Sequence, residues 1–266
     1  MPLFSRRKRC QKRPLLRVNK QYEGLMNKTV LFLLCFIANL ATTVYAKNPE
    51  DPYESVNRKI YAFNDALDRA ILKPIAKVYQ AIIPAPARTA TTHFFDNLNL
   101  LPTVANDLLQ GSITHAMTDT WRFIINSTLG LAGTLDPATS FGIEKHMNDL
   151  GITLARWGDH NSPYIVIPLL GPSTVRDGVG MVFDYTIFSI YPYIEPTSVL
   201  YGVLALNAVD TRANFLETDK LIEEALDPYA FVRDAYLQHR HYVITGIENG
   251  SQQLYEESVA DETPPS

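Results

Sequence analysis

The sequence predicts a mainly α-helical protein with a single folded domain and at most one short strand or hairpin. Apolar residues recur at helical spacing in several segments of the chain. Prolines fall at or near the ends of these segments, as at Pro74, Pro84 and Pro172, where a helix tolerates them. One short run, Tyr164–Ile167, is β-branched and bounded by prolines, which predicts a small strand or hairpin arm.

The first predicted helix, over 52–71, has a clear start and two contrasting faces. Asp51 is expected to cap it, Pro52 fits its first turn, and Glu54 completes a capping box. The residues alone allow its apolar stripe to face a core, a partner or a bilayer. The apolar stripe comprises Val56, Ile60, Phe63 and Leu67. The polar stripe comprises Asn57, Tyr61, Asn64, Asp65 and Asp68.

Further helices are predicted along the chain. Three stretches of this part of the sequence contain no charged residue. The uncharged stretches 123–135, 161–175 and 196–209 are shorter than the roughly 18 residues of a spanning helix. We favour burial in a core over helices lying flat at a bilayer, because interfacial helices usually carry basic polar faces. The further predicted helices are 74–82, 87–98, 102–110, 112–129, 148–156, 173–188, 197–217, 219–226 and 228–245.

Residues 1–46 predict a basic preface followed by a cleaved export signal. An apolar run from Val30 to Leu40 follows Lys28, and Val44-Tyr45-Ala46 is a small-residue cleavage site. Lys47 is then the first mature residue, and Met26 is the predicted start of translation.

Acylation of the signal is not expected. Leu34 precedes Cys35 at the position where a lipoprotein signal carries a small residue, and the sequence stays apolar after Cys35. Cys10 and Cys35 are the two cysteines of the chain, so the mature protein has no disulfide and no thiolate ligand.

The charge balance changes when the leader is removed. The remaining chain carries 15 Lys and Arg against 27 Asp and Glu, a net charge of −12. Such a balance argues against nucleic acid or an anionic surface as the main partner. The folded domain is predicted to span 47–247, and the acidic, Pro-tipped segment 248–266 is predicted to be disordered.

The sequence offers no pattern of catalytic or metal-binding residues. The string Gly171-Pro172-Ser173-Thr174-Val175 lacks the closing glycine of a hydrolase elbow, and no phosphate-binding loop is present. A turn into a helix, pinned by a local pair of Arg176 and Asp177, is expected there instead. His93, His115, His146 and His160 are isolated in sequence, which predicts surface or satisfied histidines rather than metal ligands.

Five segments together resemble the MlaA (VacJ) family, and they occur in the family's order from Asp51 to about Arg240. They are DPYESVNRKIYAFN, PARTATTHFFDNLNLLPTVANDLLQG, RFIINSTLGLAGTLDPAT, SPYIVIPLLGPSTVRDGVG and DPYAFVRDAYLQHR. The resemblance implies an α-helical ring within the inner part of the Gram-negative outer membrane, associated with a porin trimer. Its channel would pass mislocalised phospholipid to an MlaC-like periplasmic carrier, without catalysis and without a cofactor.

Two other functions remain open beside lipid transfer. One is a porin-associated structural protein without transport, and the other is a phospholipid-acting enzyme, for which the sequence offers no nucleophile–base pair. Family members are commonly lipoproteins, and the poor lipoprotein signal of this chain implies non-covalent anchorage or a misassigned start.

The resemblance also assigns roles to individual residues. Phe63 and Asn64 match the family's Phe-Asn and are candidates for control of the channel, with ordinary core packing left open for Phe63. Asn126, Gly130, Gly133 and Asp136 match the pattern N-x-T-x-G-x-x-G-x-x-D and are expected to shape a turn. The candidate channel wall or lid comprises Tyr164, Ile165, Val166, Ile167 and Gly171. The remaining scaffold residues are Asp51, Asn57, Arg58, Arg176, Asp177, Asp227 and Arg233, of which Asp51 and Asp227 are expected to cap helices.

Overall fold

The computed structural model describes residues 49–246. The predicted leader, the predicted mature start at Lys47 and the predicted tail lie outside these residues. The prediction of a mainly helical fold with one short hairpin is confirmed. Within the described residues, no helix combines the length and the apolarity needed to cross a bilayer.

The elements follow one another with short connections. The helices are α1 (Glu54–Leu67), α2 (Lys73–Ile82), α3 (Ala85–Leu109), α4 (Ile113–Thr128), α5 (Pro137–Ser140), α6 (Leu150–Arg156), α7 (Val175–Phe183), α8 (Thr197–Asn214), α9 (Asp219–Glu224) and α10 (Pro228–Thr245). Strands β1 (Tyr164–Ile167) and β2 (Gly171–Thr174) lie between α6 and α7. The π-helical turns Asp68–Leu72 and Asp184–Phe188 extend α1 and α7, and the 3-10 turns are Tyr191–Tyr193 and Leu216–Thr218.

Helix α1 starts two residues later than a cap at Asp51 requires. Its N-cap residue is Tyr53, which makes no capping side-chain hydrogen bond, and Glu54 bonds Arg58 at 2.8 Å. The predicted capping box is therefore wrong, because Asp51 is buried and accepts hydrogen bonds from side chains far along the chain. The helix continues without a break through the π-helical turn into α2, so the predicted separation of the two helices is also wrong.

Helix α3 runs through Pro102, where the sequence predicts two helices. Proline inside a helix costs about 3 kcal/mol because it lacks a donor and crowds the preceding turn. Residues on both sides of Pro102 are nevertheless buried, among them Phe95, Leu100 and Asn106. Packing of these side chains against the neighbouring elements favours one continuous helix over a break.

The hairpin pairs β1 and β2 in antiparallel register. Tyr164 lies opposite Thr174, and Ile167 lies opposite Gly171. Helix α7 begins at Val175 because Thr174 caps it, accepting a hydrogen bond from the Asp177 N–H at 3.1 Å. The predicted start of this helix at residue 173 is wrong, since residues 173 and 174 belong to β2.

The buried side chains are mostly polar. A small apolar cluster joins Tyr164, Val166 and Tyr229, with partly buried Ile60 and Leu237 packed against it. Large side chains that are almost fully buried elsewhere carry amides, carboxylates or hydroxyls, and they are Asn57, Asn106, Thr153, Asp51, Asp107, Asp119 and Ser173. The interior is therefore held together largely by hydrogen bonds and ion pairs, which must satisfy these groups away from water.

Many large apolar side chains are exposed instead. The stretches 123–135 and 196–209, which the sequence assigns to a core, contribute exposed side chains at Leu129, Leu131, Leu135, Val199, Tyr201 and Leu206. The stretch 161–175 is divided, because Tyr164 and Val166 are buried while Leu169 and Leu170 are exposed. The core assignment of these stretches is therefore wrong for most of their residues, and many large apolar side chains lie on the surface of the described domain.

Candidate functional site

A cavity of about 340 Å³ lies among α3, α4, β2, α7 and α10. Its volume is near the lower end of the range for small-molecule pockets, roughly 300–1,000 Å³. Its lining is rich in polar and charged side chains, including Asp96, Asn97, Asn99, Thr103, Arg122, Asn126, Asp136, Lys145, Asp149, Asp177, Asp184 and Arg240.

Arg240 of α10 organises one side of the cavity. Its guanidinium donates to Asp149 at 2.6 and 3.0 Å and to Asp177 at 2.7 Å. Asp149 in turn caps α6 by accepting from the Ile152 N–H at 2.8 Å. These contacts tie α10 to the starts of α6 and α7.

Asp177 is buried, but its carboxyl has a lowered pKa. Burial alone raises the pKa of this carboxyl, yet Arg240, the Tyr236 hydroxyl at 2.8 Å and the neighbouring Arg176 together hold its pKa below the ordinary value. The predicted local pair of Arg176 and Asp177 is present, with Nε and Oδ1 3.1 Å apart.

The Asn-Gly-Gly-Asp pattern closes a turn that contributes Asn126 and Asp136 to the cavity wall. Asp136 caps α5 and accepts from Arg122 at 2.5 Å and from Asn126 at 3.0 Å, and Asn126 accepts from the Ala138 N–H. Burial acts to raise the pKa of Asp136, but its hydrogen bonds and Arg122 lower that pKa overall. Gly133 has a φ of 86°, and a Cβ there would lie 2.6 Å from the Asn97 amide.

The two Asp-Pro-Tyr segments meet in space. Asp51 accepts from Asn57 at 2.8 Å, from the Tyr229 hydroxyl at 2.5 Å and from Arg233 at 3.4 Å. Asn57 also bonds β1, donating to the Tyr164 carbonyl and accepting from the Val166 N–H. The segment before α1 is thereby joined to the hairpin and to α10.

The second Asp-Pro-Tyr segment has the capping role that its sequence predicts. Asp227 accepts from the N–H groups of Tyr229 and Ala230 at the start of α10. Its two oxygens also accept from Arg58 of α1 at 3.1 and 2.7 Å. Arg58 and Asp227 therefore form a two-point ion pair between α1 and α10.

The candidate channel residues lie beside the cavity wall rather than on it. Tyr164 and Val166 are buried in the apolar cluster, and Gly171 opens β2, whose following residues Pro172 and Ser173 do line the cavity. Phe63 and Asn64 belong to α1, which contacts β1. Ile165 and Ile167 are near Gly178 of α7.

A group of acidic and imidazole side chains also meets near the cavity. His146, on the cavity wall, lies 3.0 Å from Asp119 and 3.7 Å from Asp107, and its ring is 4.6 Å from that of His115. The hydrogen bond to Asp119 raises the pKa of His146, and burial raises the pKa of Asp107. The sequence missed this group, because His115 on α4 and His146 before α6 are 31 positions apart with no motif between them.

The two serine hydroxyls on the cavity wall each donate a hydrogen bond to a backbone carbonyl. Ser173 donates to the carbonyl of Thr174 at 3.1 Å, and Ser189 donates to that of Tyr185 at 2.6 Å. Neither hydroxyl is shown bonded to a histidine, which is the arrangement that would activate a nucleophile.

Comparison with known proteins agrees with the resemblance of the sequence. The profile of the family described as MlaA lipoprotein matches residues 49–243. The intermembrane phospholipid transport system lipoprotein MlaA of Escherichia coli K12 is 34% identical over 206 residues, which cover 74% of this chain and 80% of that protein. An uncharacterized protein of Rickettsia bellii is 35% identical over 191 residues, covering 71% of this chain and 75% of its own length.

A solved structure has the same fold. It is described as "Structural basis for maintenance of bacterial outer membrane lipid asymmetry" and matches with a TM-score of 0.65 and 32% sequence identity. The match covers 73% of this chain and 99% of the other. From sequence, profile and fold together, this chain belongs to the MlaA lipoprotein family.

Proposed function

We propose that the protein is a non-enzymatic phospholipid-transfer component of the outer membrane. In this proposal it removes mislocalised phospholipid from the outer leaflet and passes it to a soluble periplasmic carrier. Relatives named as intermembrane phospholipid transport lipoproteins support the general role. The observation that carries the proposal is the set of large apolar side chains on the outside of the fold, around a cavity whose lining residues include many polar and charged ones.

The exposed apolar residues support a position in a membrane. Burial of apolar surface contributes about 25 cal/mol per Å², and large exposed patches mark membrane or protein contacts. In this proposal the helices lie within one leaflet, with their apolar sides towards the lipid tails. The net charge of −12 after the leader gives no electrostatic attraction to anionic lipid, so apolar contact supplies the retention.

The cavity supports a path for the lipid headgroup. Moving a charged phosphate through hydrocarbon is costly, because its water is lost and nothing replaces it. On the cavity wall Lys145, whose ion pair with Asp96 is partly exposed, can replace part of that hydration with a charged donor. A volume of about 340 Å³ suits a headgroup, while the acyl chains remain in the surrounding apolar environment.

The partners in this proposal are a porin trimer in the outer membrane and an MlaC-like carrier in the periplasm. Both follow from the family resemblance, and the exposed apolar side chains offer the porin a matching surface. In this arrangement the described domain forms a ring around its polar path, with the hairpin against α1 as part of the wall or lid.

A gene deletion tests the proposal directly. Loss of the gene is expected to raise the phospholipid content of the outer leaflet and to sensitise cells to detergent with chelator. Wild-type values for both, in a strain without a second copy, would contradict lipid transfer.

Two further assays separate the remaining functions. A structural role predicts a loss of assembled porin trimer while the outer leaflet keeps its normal lipids. An enzymatic role predicts that purified protein releases fatty acid or lysophospholipid from phospholipid vesicles. Lipid transfer predicts intact phospholipid on the carrier.

A further inference from the structure

We propose that Asp107, His115 and His146 form a binding site for a divalent transition-metal ion of the zinc class. One ligand atom from each side chain lies within 4.8 Å of those of the other two. Imidazole nitrogen with carboxylate oxygen is a donor set that Zn²⁺ accepts readily. The three ligands come from α3, α4 and the segment before α6, so a bound ion would link three elements of the cavity wall.

The carboxylates of this group have unused hydrogen-bonding capacity in a buried position. Asp107 and Asp119 are both fully buried, and in the described part of the chain Asp107 Oδ2 and Asp119 Oδ1 have no hydrogen-bond partner. A buried acceptor without a donor is costly, and few native groups are left in that state. A metal ion beside them compensates for this cost.

The charges of the group also favour a cation. Asp107 Oδ1 accepts from Asn148 at 2.7 Å, which is a neutral donor, and Asp119 contacts His146. A divalent ion with neutral imidazoles offsets both carboxylates, and Asp119 at 3.0 Å from His146 Nδ1 is placed to orient that imidazole.

The position of His115 also favours a bound metal ion. It is an exposed residue, yet its ring lies 4.6 Å from the His146 ring at an angle of 40°. Two imidazolium rings at this distance would repel each other. Two neutral imidazoles that share a metal ion have a direct reason to be adjacent.

The test uses the exported protein, purified in detergent with a tag that carries no histidine and stripped with chelator. Titration with Zn²⁺ alone is expected to show one ion per chain by calorimetry and by elemental analysis. The variant His115→Ala removes an exposed ligand, so the fold is retained, and its affinity for Zn²⁺ should fall at least tenfold. The matched control is His160→Ala, which also removes an exposed histidine but lies outside the group.

A second measurement separates loss of binding from loss of folding. Zn²⁺ is expected to raise the melting temperature of the wild type and of His160→Ala, and to leave that of His115→Ala unchanged. Absence of stoichiometric Zn²⁺ in the wild type would overturn the proposal. Equal affinity of His115→Ala and His160→Ala would overturn it too. The test is independent of lipid transfer, because neither measurement involves lipid.

Discussion

Phe63 and Asn64 are adjacent in the sequence but lie in opposite environments. Phe63 is 54% exposed, whereas Asn64 is half-buried and bonds the hairpin. Its amide donates to the carbonyl of Ile167 at 3.0 Å and accepts from the N–H of Leu169 at 2.8 Å. These two bonds hold the β1–β2 turn, where Leu169 has a φ of 68°. The polar stripe of α1 therefore faces the fold, and its apolar stripe faces outwards at Phe63.

The first prediction contrasts these neighbours. Asn64→Ala should lower the free energy of unfolding by about 1–3 kcal/mol, because the turn loses two hydrogen bonds and gains unpaired groups. Phe63→Ala should change the free energy of unfolding by no more than about 0.5 kcal/mol, as expected for an exposed position. Denaturant unfolding in detergent measures both. A loss of about 3–5 kcal/mol for Phe63→Ala, the range of a buried aromatic, would contradict the exposed position.

A second prediction concerns the buried carboxylate of Asp51. Asp51→Ala leaves the Tyr229 hydroxyl, the Asn57 amide and Arg233 short of an acceptor, so stability should fall by about 3–5 kcal/mol. The matched control is Asp234→Ala, which removes the other carboxylate of Arg233 from an exposed position. That control should cost less than about 1 kcal/mol. Equal losses for the two variants would show that Asp51 has no special role.

Much of the fold could be predicted from the sequence, because local signals agreed with the final structure. The Pro-bounded run Tyr164–Ile167 is a strand, and Asp227 caps α10. The predicted helix ends were wrong where tertiary contacts outweighed the local sequence signal. Pro102 lies inside a helix that is packed on both sides, and Asp51 gains more from Tyr229 than from a helix end.

The site was harder to predict for a different reason. Apolar periodicity identifies the face of a helix that avoids water, but it does not say whether protein or lipid covers that face. In a water-soluble protein the apolar face of a helix packs against the core, whereas Leu129 and Tyr201 of this protein are exposed. The grouping of Asp107, His115 and His146 depends on how α3, α4 and the segment before α6 pack, which no spacing within one segment encodes.

A third prediction uses two glycines with contrasting surroundings. Gly180 of α7 packs on α6, where an added Cβ would meet the backbone nitrogen of Gly151 at 2.6 Å. Gly180→Ala should therefore destabilise the protein by about 1–3 kcal/mol through overpacking. Gly202 of α8 has nothing within 4 Å of an added Cβ, so Gly202→Ala should stabilise by about 0.5–1 kcal/mol. Melting temperatures that move in the same direction would contradict the α6–α7 contact.

The fourth prediction concerns acid stability. The pKa of Asp177 is below its ordinary value in the folded protein, so its ionised form stabilises the fold above about pH 4. That stabilisation is lost as the pH falls through the folded pKa. Asp177→Asn should therefore be most destabilising at neutral pH, and its deficit should shrink below pH 4. Unfolding curves at several pH values measure this, with exposed Asp159→Asn as the control. A deficit that is the same at pH 3 and pH 7 would contradict the assignment.

The last prediction begins from the basic side chains on the cavity wall. Arg240 is held by Asp149 and Asp177, and Arg122 is held by Asp136, in each case with a largely buried guanidinium. Lys145 pairs with Asp96 at 2.8 Å, but its side chain is 42% exposed. An exposed pair contributes at most about 1 kcal/mol, so this ammonium can exchange Asp96 for another anion at little cost. Lys145 is thus the basic group best placed to meet a lipid phosphate.

Lys145→Ala should slow phospholipid transfer from vesicles that contain the protein to the purified carrier. A hydrogen bond to a charged group contributes roughly 1.5 kcal/mol, which corresponds to about a tenfold lower rate if the contact forms in the rate-limiting step. The melting temperature should not change, because the pair with Asp96 is weak. The matched control is Lys220→Ala on α9, an exposed lysine away from the cavity. Equal transfer rates for the two variants would mean that the headgroup does not pass Lys145, and the charged side chains of the cavity wall would then serve the stability of the fold rather than the movement of lipid.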